Sequence, residues 1–96
     1  MSITEVEIYL NQFVGFFDKN PNDLINLIGE LNREQFYEEV KKQSIQNYEN
    51  GDEVSLTHKQ LIEIVIKLNK SEDTPHEREK IQQFIVKTEF GGFSLN

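Results

Sequence analysis

An all-α fold, a compact bundle of about five short helices with an irregular C-terminal tail, is what this 96-residue chain predicts. Three observations carry the prediction. Apolar residues recur at spacings of three and four, which places them on one face of a helix. Five segments each open on a helix-start signal, and polar, proline- or glycine-containing breaks separate them. Length sets one helical domain over residues 1–89 and a tail over 90–96, since a second core cannot be built from so few residues.

The first helix is expected from about Ile3 to Phe17, where Ile3, Val6, Leu10, Phe13 and Phe17 share a face that Tyr9, Val14 and Phe16 widen. Gly15 weakens its last turn by about 1 kcal/mol relative to alanine. "DKNPND" interrupts it. Asn20 is the expected cap of the next helix, Pro21 suits its first position and Asp23 favours the positive end of its dipole. That helix runs to about Leu31 and buries Leu24, Leu27, Ile28 and Leu31. "LNREQF" then reads as a capping box, Asn32 with Gln35, inside a hydrophobic staple of Leu31 and Phe36. The third helix extends to about Glu49 with Phe36, Tyr37, Val40 and Tyr48 inward, and Gly51 takes positive φ beyond it.

"LTHKQL" repeats that grammar 25 residues later: Thr57 caps, Gln60 reciprocates, and Leu56 and Leu61 form the staple. "LIEIVIKL" alternates like one face of a strand and is β-branched. The complete capping box and the Glu63-to-Lys67 order, which suits an i,i+4 ion pair, favour helix. Apolar groups nearly all round make it the central, buried helix. "SEDTPHE" opens the last helix, with Thr74 as cap, Pro75 first and Glu77 completing a box. It runs to about Lys87 and buries Ile81, Phe84 and Ile85; Gly91 and Gly92 follow, leaving Phe90, Phe93 and Leu95 in the tail.

Charge narrows the functional classes. The formal net charge is -7, with nine acids and four bases in residues 1–50 and eight acids and six bases in 51–96. With only Arg33 and Arg78 as arginines, phosphate backbones and anionic membranes are not expected partners, whereas a basic protein surface is. No cysteine is present, which removes thiolate metal sites and cysteine nucleophiles. No apolar run reaches bilayer-spanning length and the N-terminus lacks a basic leader region, so a cytoplasmic location is expected, the host cytoplasm if the chain is viral.

Specific chemistries fail at named positions. A helix-turn-helix over 57–85 has too long a break at "NKSED", and Glu72, Asp73, Glu77 and Glu79 would face phosphates. "HEREK" lacks the second histidine of a zinc-protease motif. "DKNPNDLINLIGE" starts like a calcium loop at Asp18, Asn20 and Asn22. It then places Asp23 where glycine is needed and Gly29 where the bidentate glutamate belongs. Carboxylate pairs such as Glu38–Glu39 read as a solvated face, so no catalytic, cofactor or metal residue is assigned and no enzyme activity is expected.

What rises above background is aromatic density. Phe16, Phe17, Tyr37, Phe90 and Phe93 are the expected partner-binding residues of a non-catalytic protein-interaction module, because interfaces use rings as anchors. The alternatives are a structural component that self-associates, as a homodimer for instance, and a nucleic-acid-binding helix-turn-helix-like protein. At "NPNDLINLIGEL", "LTHKQLIEIVIKLN" and "FGGFSLN" the chain resembles small proteins of marine tailed phages. That resemblance implies a phage or AT-rich genomic origin and brings no assigned activity or functional residue.

Overall fold

The structure, a computed structural model, describes residues 4–29 and 32–87. Among the described residues there are five α-helices, α1 Thr4–Lys19, α2 Pro21–Ile28, α3 Arg33–Glu49, α4 His58–Asn69 and α5 Pro75–Lys87, and no strand. The central helix α4 packs between α3 and α5, α1 lies against α3, and the short α2 touches α1, α3 and α4. Ile3, Leu31, Phe90, Phe93 and Leu95, and with them the expected tail, lie outside the described residues.

The core follows the spacing in the sequence. Val6, Phe13, Phe36, Val40, Leu56, Leu61, Val65 and Ile85 have no measurable exposure. Burying each such side chain contributes about 1.5–3 kcal/mol before chain entropy is subtracted. Residues 61–68 are helical, and six of α4's side chains are buried, as a central helix requires. Both arms of its capping box are present: Thr57 Oγ1 accepts from Gln60 N at 3.1 Å, and Gln60 Oε1 accepts from Thr57 N at 3.0 Å. Thr74 caps α5 with one arm of the expected box: its Oγ1 accepts from Glu77 N at 3.1 Å, while Thr74 N donates to Glu72 O at 3.0 Å and the Glu77 carboxylate faces Lys80.

Two expected N-caps are corrected. Neither Asn20 nor Asn32 accepts a capping hydrogen bond with its side chain. Each instead donates backwards: Asn20 Nδ2 to Phe16 O at 2.9 Å, and Asn32 Nδ2 to Ile28 O at 2.8 Å. An asparagine amide both donates and accepts. In these short joints the last-turn carbonyls of the preceding helix compete with the orphan N–H groups of the next for the side-chain amide, and the carbonyls win. Asn69 Nδ2 donates to Leu27 O at 2.9 Å, so the end of α2 is sealed by side chains from both neighbouring segments.

The Glu63–Lys67 pair is also corrected. Lys67 Nζ meets Glu39 on α3 at 3.1 Å, and Glu63 faces Arg78 on α5 at 3.7 Å. Tertiary partners offer better geometry than the helix's own next turn, although exposed pairs of this kind contribute only about 0–1 kcal/mol.

α3 and α4 stop in the same way. Gly51 has φ +81°, with Gly51 N donating to Tyr48 O and Asp52 N to Asn47 O at 3.1 and 2.9 Å. Lys70 has φ 54°, with Lys70 N donating to Lys67 O and Ser71 N to Ile66 O at 3.3 and 3.1 Å. Both are Schellman closures. The second places a side chain in the left-handed region, which costs about 1–2 kcal/mol relative to right-handed backbone.

Candidate functional site

Rings gather where α1 crosses α3. The centroids of Phe16 and Phe17 are 5.0 Å apart, those of Phe17 and Phe36 6.1 Å, and those of Phe36 and Tyr37 6.0 Å. Phe13 joins the same cluster, 6.2 Å from both Phe17 and Phe36. Phe17 meets both Phe16 and Phe36 edge-to-face, as ring quadrupoles favour, and the other three pairs are tilted. Phe16 and Tyr37 are half-buried and form the rim. Phe17 does not belong to the surface: it is 3% exposed and sits in the core. Its spacing from Phe13 puts it on the inner face of α1, so burial takes precedence over its aromatic character. Phe90 and Phe93 fall outside the described residues; of the three expected anchors within them, Phe16 and Tyr37 keep a face to solvent.

Asp18 and Arg33 flank this rim. The Tyr37 hydroxyl titrates above its ordinary value because burial disfavours the phenolate. The Asp18 carboxylate adds to that rise, and Arg33 opposes it. Tyr37 is therefore a neutral phenol at physiological pH, presenting an apolar ring and a hydrogen-bonding tip.

A second, polar assembly lies at the other end of α3, and the sequence reading missed it. Phe36, Val40, Ser44 and Asn47 are the buried residues of α3, at spacings of four, four and three. One stripe thus changes from apolar to polar halfway along the helix. Ser44 Oγ donates to Val54 O at 2.8 Å. Asn47 and Gln60 exchange amide hydrogen bonds in both directions at 3.1 Å, and Gln43 Nε2 donates to Asn47 Oδ1 at 3.0 Å. Tyr9 reaches from α1 to the same loop: its hydroxyl accepts from the buried Leu56 N at 2.9 Å. Burial holds the Tyr9 phenol well above the usual tyrosine range, and the Leu56 hydrogen bond opposes this only in part.

Two of these bonds hold the 50–57 connection, at Val54 and Leu56, and the Asn47–Gln60 pair ties together the helices on either side of it. Between it and the start of α4 lies a cleft of about 400 Å³ lined by Asn47, Asp52, Glu53, Ser55, Thr57 and Gln60. The signal for it was the continued i+3/i+4 register of Ser44 and Asn47, which a search for apolar residues passes over.

The histidines are placed apart from this cleft. His58 Nδ1 and Gln82 Nε2 are 2.9 Å apart across α4 and α5, and His58 Nε2 is buried without a hydrogen-bond partner. His76 lines a shallow depression on α5 with Glu79, Lys80 and Gln83. Among the described residues no three histidine, aspartate or glutamate side chains converge as a metal site. Residues 18–29, whose spacing begins like a calcium loop, form the end of α1 and the whole of α2.

Arg78 is held by Asp73 through Nε and Nη2 at 2.5 and 3.0 Å. The shared hydrogen bonds keep the Asp73 carboxyl below its ordinary value and the guanidinium above its own. No described helix is long and apolar enough to cross a membrane. No family model, curated protein or solved structure matches the chain.

Proposed function

We propose that this chain is a non-catalytic interaction module that binds a protein with a basic surface. The observation that carries the reading is that Phe16 and Tyr37, both half-buried, flank the buried Phe17–Phe36 ring contact on a chain of net charge -7. The charge speeds encounter and suppresses acidic competitors, while the rings supply desolvated contact area. Asp18 beside Tyr37 puts an acceptor for a basic side chain at the edge of the apolar patch. The phage origin suggested by the sequence resemblance belongs to the same proposal and makes the host lysate the place to look.

The test is affinity capture from that lysate with the wild-type chain and a Phe16→Ala/Tyr37→Ala variant. A partner retained by the wild type, lost by the variant and released by raised salt supports the reading. A partner held equally by both variants places binding elsewhere.

Self-association is the second reading, favoured by Ile8 on α1 and Val86 on α5, which are 53% and 58% exposed. Light scattering over a concentration series distinguishes it, because a monomer at every concentration removes it.

A further inference from the structure

The cleft between the 50–57 connection and α4 combines features that the fold itself does not use. Ser55 is 6% exposed and lines the cleft, yet its Oγ is buried with no hydrogen-bond partner. Leaving a buried hydroxyl unpaired costs about 1–3 kcal/mol, and alanine at that position avoids the cost. Asp52 and Glu53 line the same cleft, both exposed, and no basic residue does. The walls are held in advance by the Asn47–Gln60 amide pair, the Ser44–Val54 bond and the Tyr9–Leu56 bond. A ligand entering here does not bear the cost of ordering the loop.

The sign of the ligand is decided by comparing charges. The start of α4 carries about half a positive charge, concentrated on its unpaired N–H groups. The capping box already occupies Gln60 N. Two full carboxylate charges outweigh that remainder, so the cleft favours a cation. A hard metal ion wants six or more oxygens, and two carboxylates with one hydroxyl fall short. A guanidinium suits the set better. It is planar, weakly hydrated and offers five N–H donors to spread over carboxylates and a hydroxyl.

We propose that this cleft binds the guanidinium head of an arginine side chain presented by a partner protein. Asp52 and Glu53 supply the charge, and Ser55 turns its Oγ outward about χ1 to accept one N–H. The inference rests on reading the chain as a partner-binding module, but it uses residues remote in sequence from Phe16 and Tyr37.

The experiment is a titration of the full-length ¹⁵N-labelled chain with N-acetyl-Gly-Arg-Gly-amide, followed by NMR. Its citrulline counterpart, which has the same shape without the charge, and its lysine counterpart are titrated in parallel. The expected result is saturable shifts at the Ser55 and Thr57 backbone amides and the Asn47 and Gln60 side-chain amides. Binding of the citrulline and lysine peptides should be weaker by tenfold or more. Asp52→Asn/Glu53→Gln should abolish the response. Ser55→Ala should weaken it several-fold while leaving the urea midpoint unchanged or raised, since no bond of the fold is lost. Absence of saturable shifts, equal response to citrulline or lysine, or unchanged affinity in Ser55→Ala each overturns the proposal. The lysate capture with Phe16→Ala/Tyr37→Ala reads the aromatic rim alone. Failure of the peptide titration beside a successful capture therefore removes the cleft and leaves the module.

Discussion

The first half of α3 meets α1 through rings, whereas its second half meets the 50–57 connection and α4 through amides and a hydroxyl. Phe36 and Val40 on the one side and Ser44 and Asn47 on the other occupy a single stripe, and all four are buried. The apolar half gains by removing area from water, a force without direction. The polar half gains little net energy per bond, but each bond fixes a distance and an angle, and breaking one leaves a costly orphan. The rings hold the helices together; the amides decide where the loop sits. A binding surface needs both, since an interface built on a loop requires the loop to be placed before the partner arrives.

The largest expected effect tests the apolar half. Phe13→Ala should lower stability by about 3–5 kcal/mol, because a fully buried ring is lost and a cavity remains. That is a large share of the about 5–15 kcal/mol typical of a whole domain. Urea unfolding followed by circular dichroism measures it, and a loss under about 1 kcal/mol would show that this ring cluster is not the core.

Tyr9 bridges the two halves and comes next. Tyr9→Phe keeps the ring and strands the buried Leu56 N–H, for an expected loss of about 1–3 kcal/mol. The wild type should also lose stability at alkaline pH. The unfolded chain releases the tyrosine proton near pH ~10, while burial in the folded state holds it longer. The unfolded state then binds fewer protons, so stability falls as pH rises above about 10. Tyr37 shifts in the same direction, so Tyr9→Phe should flatten this slope without removing it. An equal slope in both proteins would separate Tyr9 from the effect.

Within the polar half, Asn47→Ala should cost about 1 kcal/mol, less than a fully buried break, because Gln43 and Gln60 are part-exposed and water can replace their partner. A double-mutant cycle with Gln60→Ala should return a coupling of at least about 0.5 kcal/mol. Additive losses would mean that the two amides do not act together.

The smallest effect lies at the exposed extreme of polar interaction. Asp73→Asn breaks a bidentate pair with Arg78 on the surface, where water and salt screen it. Because the folded carboxyl titrates below its ordinary value, its contribution is present above about pH 4 and is lost as pH falls further. Wild type and variant should converge in thermal stability in strong acid and differ only slightly at neutral pH.

Which features the residues announced follows from the same contrast. Thr57 and Gln60 close the capping box within one turn, and Gly51 and Thr74 act within their own segments, so local chemistry was enough to read them. Asn20 and Asn32 were legible as helix junctions but not in direction, because an amide serves either neighbour. Of the partner anchors, Phe17 was misplaced because aromatic density says nothing about which ring faces inward, although its own periodicity did. Of the cleft, only the buried register of Ser44 and Asn47 was legible, because Asn47, Ser55 and Gln60, which line it, come from three separate segments.

By itself, the sequence determined the number of helices, their starts and the apolar faces that bind them. Those depend on neighbours three or four residues away, and the chain carries that information in its spacing. Only tertiary structure decided that Lys67 answers Glu39, that Tyr9 anchors the loop before α4 and that Asn47 pairs with Gln60. Hydrogen bonds and ion pairs are short-ranged and directional, so their partners exist only once hydrophobic burial has brought distant segments within about 3 Å of one another.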